Sequence, residues 1–263
     1  MPRMNKFKMK KIKPFIPFIV VFFVSDIIRT MPFVLHHYIP IPEWLATWLS
    51  IFLLLLLPVS LTIWYVKKNG CEEFLFSRNS FIFLLITLIF TFSYIFLFDS
   101  INNHISNQEI ALENNHIFYK ITNLEPDAMT ILMICRNLIC APVFETILII
   151  ALFQKPLEKL TSPYVALIIS VLIFTALHFG QGYMGMLSAF FSGMIFGFCY
   201  LKTKNLAIPI ICHFSVNIIG NILIVNILNK GNIVLLIIFS ICFIASFIYL
   251  LRYNEKPSYS CEE

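Results

Sequence analysis

Four polar side chains sit in runs of sequence that otherwise carry almost nothing but hydrocarbon. They are Glu145 in CAPVFETILIIALF (140–153), His178 closing FTALH (174–178), and His213 and Asn217 bounding HFSVN (213–217). Of the fourteen acidic residues only Asp26 and Glu145 fall inside such runs, and of the six histidines only His178 and His213. Ionisable groups in apolar spans are costly, and function is their default explanation. Two imidazoles and a carboxylate form the ligand set of some hydrolytic zinc sites, although no HExxH occurs here. The same groups would also serve as a proton relay. Each has a plain structural reading as well: a hydrogen-bonded core histidine, a protonated glutamate, an asparagine tying two helices. Burying all four is expensive unless they meet one another and water. His213 and Asn217 are four residues apart, so one helix face presents both, and Phe174 and His178 share that spacing.

The elements that must position these groups follow from composition. Of 263 residues 59% are apolar and only 13% charged, whereas soluble chains are about a quarter charged. The expectation is an all-α, polytopic membrane helix bundle. A span needs ~20 mostly apolar residues, and eight segments qualify: 14–35, 45–66, 80–98, 128–153, 162–179, 183–201, 206–228 and 232–252. Eight spans collect the basic residues on one side: Arg3 to Lys13, Lys67, Lys68 and Arg78, Lys155 and Lys159, Lys202 and Lys204, Arg252 and Lys256. The other side receives Glu43, Lys230 and the loop 99–127, with five acidic residues and one lysine. Both termini are then cytoplasmic by the positive-inside rule. This gives a basic cytoplasmic N-terminus (1–13), a single transmembrane domain (14–252) and a cytoplasmic tail (253–263). The basic N-terminus reads as a topological signal with anionic-lipid contact, and nucleic acid is not an expected partner.

The remaining polar residues have simpler readings. Asp26 and Arg29, three apart, can neutralise each other. Arg136 and Asn137 cap or pair with a neighbour. Ala189, Gly193 and Gly197 repeat at intervals of four, with Ser188 and Ser192 alongside, which lets helices approach closely. The seven cysteines include no CxxC pair, so neither a disulfide framework nor a thiolate metal site is expected. The 28 phenylalanines read as lipid-facing bulk.

At the polar residues the sequence resembles the type II CAAX prenyl endopeptidase and bacteriocin-processing family of intramembrane proteases, also called the Abi family. Its pattern is Glu-Glu-x-x-x-Arg after Ala-Pro, then Phe-x-x-x-His, then His-x-x-x-Asn or Asp. Here those motifs read APVFETILII (141–150), FTALH (174–178) and HFSVN (213–217), and GMIFGFCYLKTKNLAIPIICH (193–213) between them is similar too, with Asn-Leu-x-x-Pro ahead of the histidine. The likeness covers about 128–225. Thr146 stands where the family has its second Glu and Ile150 where it has Arg. Some relatives carry Gln at the Arg position, but Gln154 comes one turn later.

The resemblance implies an intramembrane endopeptidase acting on a membrane-associated protein or peptide. Glu145 would be general base on water, His178 would hold that water, and His213 and Asn217 would donate to the oxyanion. Desolvation favours the neutral form of any carboxylate, which suits a group that takes and then returns a proton. No cofactor is expected, with a zinc-dependent version of the same protease as the alternative. A non-catalytic relative acting in bacteriocin immunity and a proton-coupled transporter are the readings from other classes. The expected location is a bacterial inner membrane, with the lipid bilayer and the peptide substrate as partners.

Overall fold

Apolar runs of this length fold as helices because a helix satisfies its own backbone N–H and C=O groups where water cannot. The computed structural model describes residues 13–38, 42–106, 134, 138, 140–222 and 233–253, and among these every regular element is helical and no strand occurs. A 3-10 turn, Lys13–Phe15, leads into α1 (Ile16–Tyr38), followed by α2 (Glu43–Asn69) and α3 (Arg78–Ser106). A rod of three pieces comes next: α4 (Ala141–Thr146), a π-helical run (Ile147–Gln154) and α5 (Lys155–Glu158). Then come α6 (Pro163–Leu177), α7 (Gly182–Thr203), α8 (Ala207–Ile222) and α9 (Ile233–Arg252). Helices therefore stand at the described parts of the expected segments, while most of 128–139 and all of 223–228, within two of those segments, lie outside the described residues. Arg78–Phe98, Phe179–Thr203 and Ile233–Arg252 are long and apolar enough to cross a bilayer, while Lys13–Ser25, Pro163–Leu177 and Ala207–Ile218 are shorter apolar helices. α3 outlasts its apolar run by eight residues (99–106), because a helix ends where its backbone bonds end and not where its hydrophobicity does. The side chains of Asp26 and Arg29, and residues Arg136 and Asn137, lie outside those described.

Contacts divide the chain into two units, Met1–Cys71 with Pro126–Phe198 and Glu72–Glu125 with Cys199–Glu263. In the first, α1 packs on α2 and on the π-helical run, and α6 packs on that run and on α5. Phe15 and Phe18 close on Phe153, with ring centroids 5.5 and 4.9 Å away. In the second unit α3 is the hub for α8 and α9. Phe90 stacks on Phe243 at 4.7 Å and Phe96 on Phe239 at 4.2 Å, while Phe83 meets Tyr253 at 4.4 Å. Phe83, Phe90 and Phe96 are buried, so part of the phenylalanine content fills the interior instead of facing lipid.

The π-helical run has a cause in sequence. Proline lacks the N–H that would bond four residues back, and its ring collides with that carbonyl. Both prolines of the rod, Pro142 and Pro156, come just after π-helical residues, whose wider turns move the carbonyl aside. The N–H of Lys155 accordingly donates to Ile150, five residues back. In an α-helix, nine residues are about two and a half turns, which would set Glu145 and Gln154 on opposite faces. Hydrogen bonds that reach five residues back widen each turn, so each residue turns the chain through a smaller angle and Gln154 stops short of that opposite face.

Gln154 is buried at 1% exposure. Its Nε2 donates to the carbonyl of Gly197 at 3.3 Å and to Glu158 Oε1 at 3.2 Å. Gly197 makes room for this: a Cβ there would collide with Leu167 Cδ1 and stand 2.8 Å from Gln154 Oε1, so those side chains would have to move. Gly180, by contrast, has open space where a Cβ would go. Gly197→Ala should therefore destabilise the fold by ~1–3 kcal/mol through overpacking. Gly180→Ala should stay within ~0.5 kcal/mol. Thermal unfolding of both variants in detergent checks the contrast.

Candidate functional site

His178 ends α6 as its C-cap, with φ −95° and ψ 11°. That is the sparsely populated bridge region where many active-site residues sit. The sequence reading placed His178 within a span of 162–179; the structure places it at the helix terminus. The backbone explains the difference. The N–H of His178 donates to Thr175 O at 3.0 Å, and its carbonyl accepts from Gln181 N at 2.9 Å. The chain then turns through a 3-10 segment, Phe179–Gln181, to Gly182 at φ 73°, a left-handed value that suits glycine.

The imidazole is fixed from below. Nδ1 lies 2.8 Å from the carbonyl oxygen of Phe174, one turn earlier. A carbonyl only accepts, so Nδ1 carries the proton, and in the neutral ring Nε2 carries the lone pair. The ring also packs on that of Phe174, with centroids 4.4 Å apart. Phe174 is seated in turn by Gly193 of α7, where a Cβ would stand 2.9 Å from Phe174 Cδ1. The small-residue face read from the sequence thus makes room for the aromatic residue that holds the histidine.

Glu145 lies at the end of α4, just ahead of the π-helical run. Its Oε2 faces His178 Nε2 at 3.9 Å, with the two side chains 32% and 17% exposed. That gap is too long for a direct hydrogen bond and suits a bridge. Two acceptors 3.9 Å apart can each take one proton from a single water placed ~2.8 Å from both. Such a water would have its lone pairs turned outward and its protons held by two bases.

His213 and Asn217 stand one turn apart on α8, in the other unit, with His213 buried at 5% exposure and Asn217 half-buried. The structure thus brings Glu145 and His178 together, and it presents His213 and Asn217 in register on one helix. Thr146 and Ile150, at the positions where the resembled family has Glu and Arg, are both buried at 3%. Sequence reasoning missed two contributors, the Phe174 carbonyl and the Gln154–Gly197 contact. The first has no side-chain signal at all. The second had one, a lone amide closing the apolar run ILIIALFQ (147–154).

In the neutral protein the His178 proton should reside on Nδ1. Nitrogen NMR of histidine-labelled protein, assigned with a His178→Gln variant, should show a pyrrole-type Nδ1 and a pyridine-type Nε2 for this ring. The reverse tautomer would mean that the ring is not held by Phe174.

Comparison with curated proteins and with solved structures finds no match. Comparison with protein families finds one: residues 127–219 match the family described as type II CAAX prenyl endopeptidase Rce1-like. The matched stretch contains Glu145, His178, His213 and Asn217, and agrees closely with the extent of 128–225 expected from the motifs. What this chain shares with known proteins is therefore a type II CAAX prenyl endopeptidase Rce1-like segment at residues 127–219.

Proposed function

We propose that this protein is an intramembrane endopeptidase that hydrolyses a peptide bond of a membrane-associated protein or peptide, with Glu145 as the general base. The observation that carries the reading is the approach of Glu145 Oε2 to His178 Nε2 at 3.9 Å, inside the segment that matches the peptidase family. Water held between them loses a proton to Glu145 as it attacks the scissile carbonyl. His178, its Nδ1 proton engaged by Phe174, orients that water through the Nε2 lone pair. Glu145 then returns the proton to the departing amine, so the carboxyl starts and ends the cycle in the same state. His213 and Asn217 supply the donors for the oxyanion, a role in which preorganised donors each contribute a factor of ~10²–10³ in rate.

The mechanism uses no metal. The alternative is a zinc-dependent version of the same protease, in which the two imidazoles and the carboxylate would be ligands, the set found in some hydrolytic zinc sites. The setting is an integral membrane protein of a bacterial inner membrane, with lipid and a peptide substrate as partners. Burial of Thr146 and Ile150 where the resembled family has Glu and Arg also favours a second reading, a non-catalytic relative that confers bacteriocin immunity.

These readings separate in proteoliposomes carrying a membrane-tethered reporter peptide. Glu145→Gln should lower cleavage by ~10²–10⁴, the usual contribution of general acid–base catalysis, at unchanged helix content by circular dichroism. Persisting cleavage would remove Glu145 as the base. A wild-type protein that cleaves nothing but still protects cells would establish the immunity reading. Dialysis against a zinc chelator should leave the rate unchanged, and a loss restored by added zinc would identify the zinc-dependent version.

A further inference from the structure

Among the described residues outside the pair of Glu145 and His178, a well-connected buried polar side chain of the second unit is Asn205. It lies between α7 and α8, at 4% exposure. The chain reverses just before it, at Lys204, whose φ of 51° is left-handed and whose N–H closes α7 onto Tyr200 O at 2.7 Å. Asn205 Oδ1 then accepts from the N–H groups of Ala207 at 2.8 Å and Ile208 at 3.3 Å. These are among the donors that the start of a helix leaves without intrahelical partners. Its Nδ2 points the other way and donates to Leu75 O at 2.6 Å. The next residue repeats the tie through its backbone, with Leu206 N donating to Glu73 O at 2.6 Å.

An N-cap needs only an acceptor, and serine or aspartate would serve as well. The donor half of the amide does something a cap does not: it ties the first turn of α8 to the segment that enters α3. Leu206 and Ile208, which follow Asn205, are fully buried, so packing as well as hydrogen bonding holds the start of α8. His213 lies eight residues beyond Asn205, which at ~1.5 Å per residue is about 12 Å along the helix. A rotation at the first turn would be carried to His213 undiminished, because a helix is stiff over two turns.

We infer that Asn205 is a positioning residue: its amide sets the height and rotation of α8 and thereby the direction in which His213 and Asn217 present their donors. The inference rests on the roles proposed above for those two residues. Asn205→Ser separates the two halves of the amide, since the hydroxyl can cap α8 but is too short to reach Leu75 O. Two readouts are compared: kcat and KM on the tethered reporter peptide, and the imidazole carbon resonance of His213 in histidine-labelled protein, assigned with His213→Gln.

Asn205→Ser should shift the His213 resonance and lower kcat roughly tenfold to a hundredfold with KM within about twofold, as a small misplacement does, with α-helix content retained. Asn205→Ala should match it and in addition lower the unfolding temperature. An unmoved His213 resonance in Asn205→Ser, or a lower unfolding temperature with kcat per folded molecule unchanged, would overturn the inference and leave Asn205 a cap only. If the wild type proves inactive, or Glu145→Gln remains active, while Asn205→Ser still shifts His213, then the proposed reaction fails and the positioning of His213 stands.

Discussion

The hydrogen bond between His178 Nδ1 and the Phe174 carbonyl is the constraint on which the rest depends. It decides which nitrogen is protonated and so which one faces Glu145. With Nδ1 engaged, the 3.9 Å space between Nε2 and Oε2 is bounded by two acceptors, and a small donor such as water fits it better than either side chain fits the other. Had the tautomer been reversed, Nε2–H would point at the carboxylate and could donate to it directly. A pair closed in that way would leave no room for a bridging water. The separation is therefore a chemical property, maintained by a backbone carbonyl one turn away.

That arrangement needs support from beneath, and small residues supply it. Gly193 admits Phe174 against α7, and Phe174 carries the histidine on both its carbonyl and its ring. One turn further along α7, Gly197 admits Gln154, whose amide joins α7 to the π-helical run that follows Glu145. Each contact substitutes for a force that membranes lack, since lipid is as apolar as the side chains and gives helices no hydrophobic reason to associate. Close approach and interhelical hydrogen bonds do that work here, which explains why a chain with 59% apolar residues still depends on two glycines and a buried amide.

The second unit solves the same problem with aromatic stacks between α3 and α9 and with Asn205 at the start of α8. Lys202 adds a cap to the end of α9, its Nζ donating to Leu251 O at 3.3 Å and Tyr253 O at 3.1 Å. A lysine among the carbonyls at a helix C-terminus is favourably placed by both charge and hydrogen bonding. The sequence reading assigned this lysine to topology alone; in the structure it also holds a helix end.

Sequence alone determined the helical class, the positions of the described helices and the candidate residues, because these depend on local quantities. Apolar run length sets where helices form, a spacing of four puts His213 and Asn217 on one face, and the scarcity of charge makes Glu145 conspicuous. What it could not decide are relations carried by the backbone or by other helices. The Phe174 carbonyl has no letter of its own, so the orientation of His178 was invisible. The π-helical turns depend on how Pro142 and Pro156 are accommodated, and a sequence read at 3.6 residues per turn could place Gln154 only as one turn late, not in contact with Gly197. Asn205 was legible only as part of a motif; that one half of its amide caps α8 and the other half holds Leu75 became clear once residues 130 apart in sequence were brought within a hydrogen bond, which only tertiary structure can do.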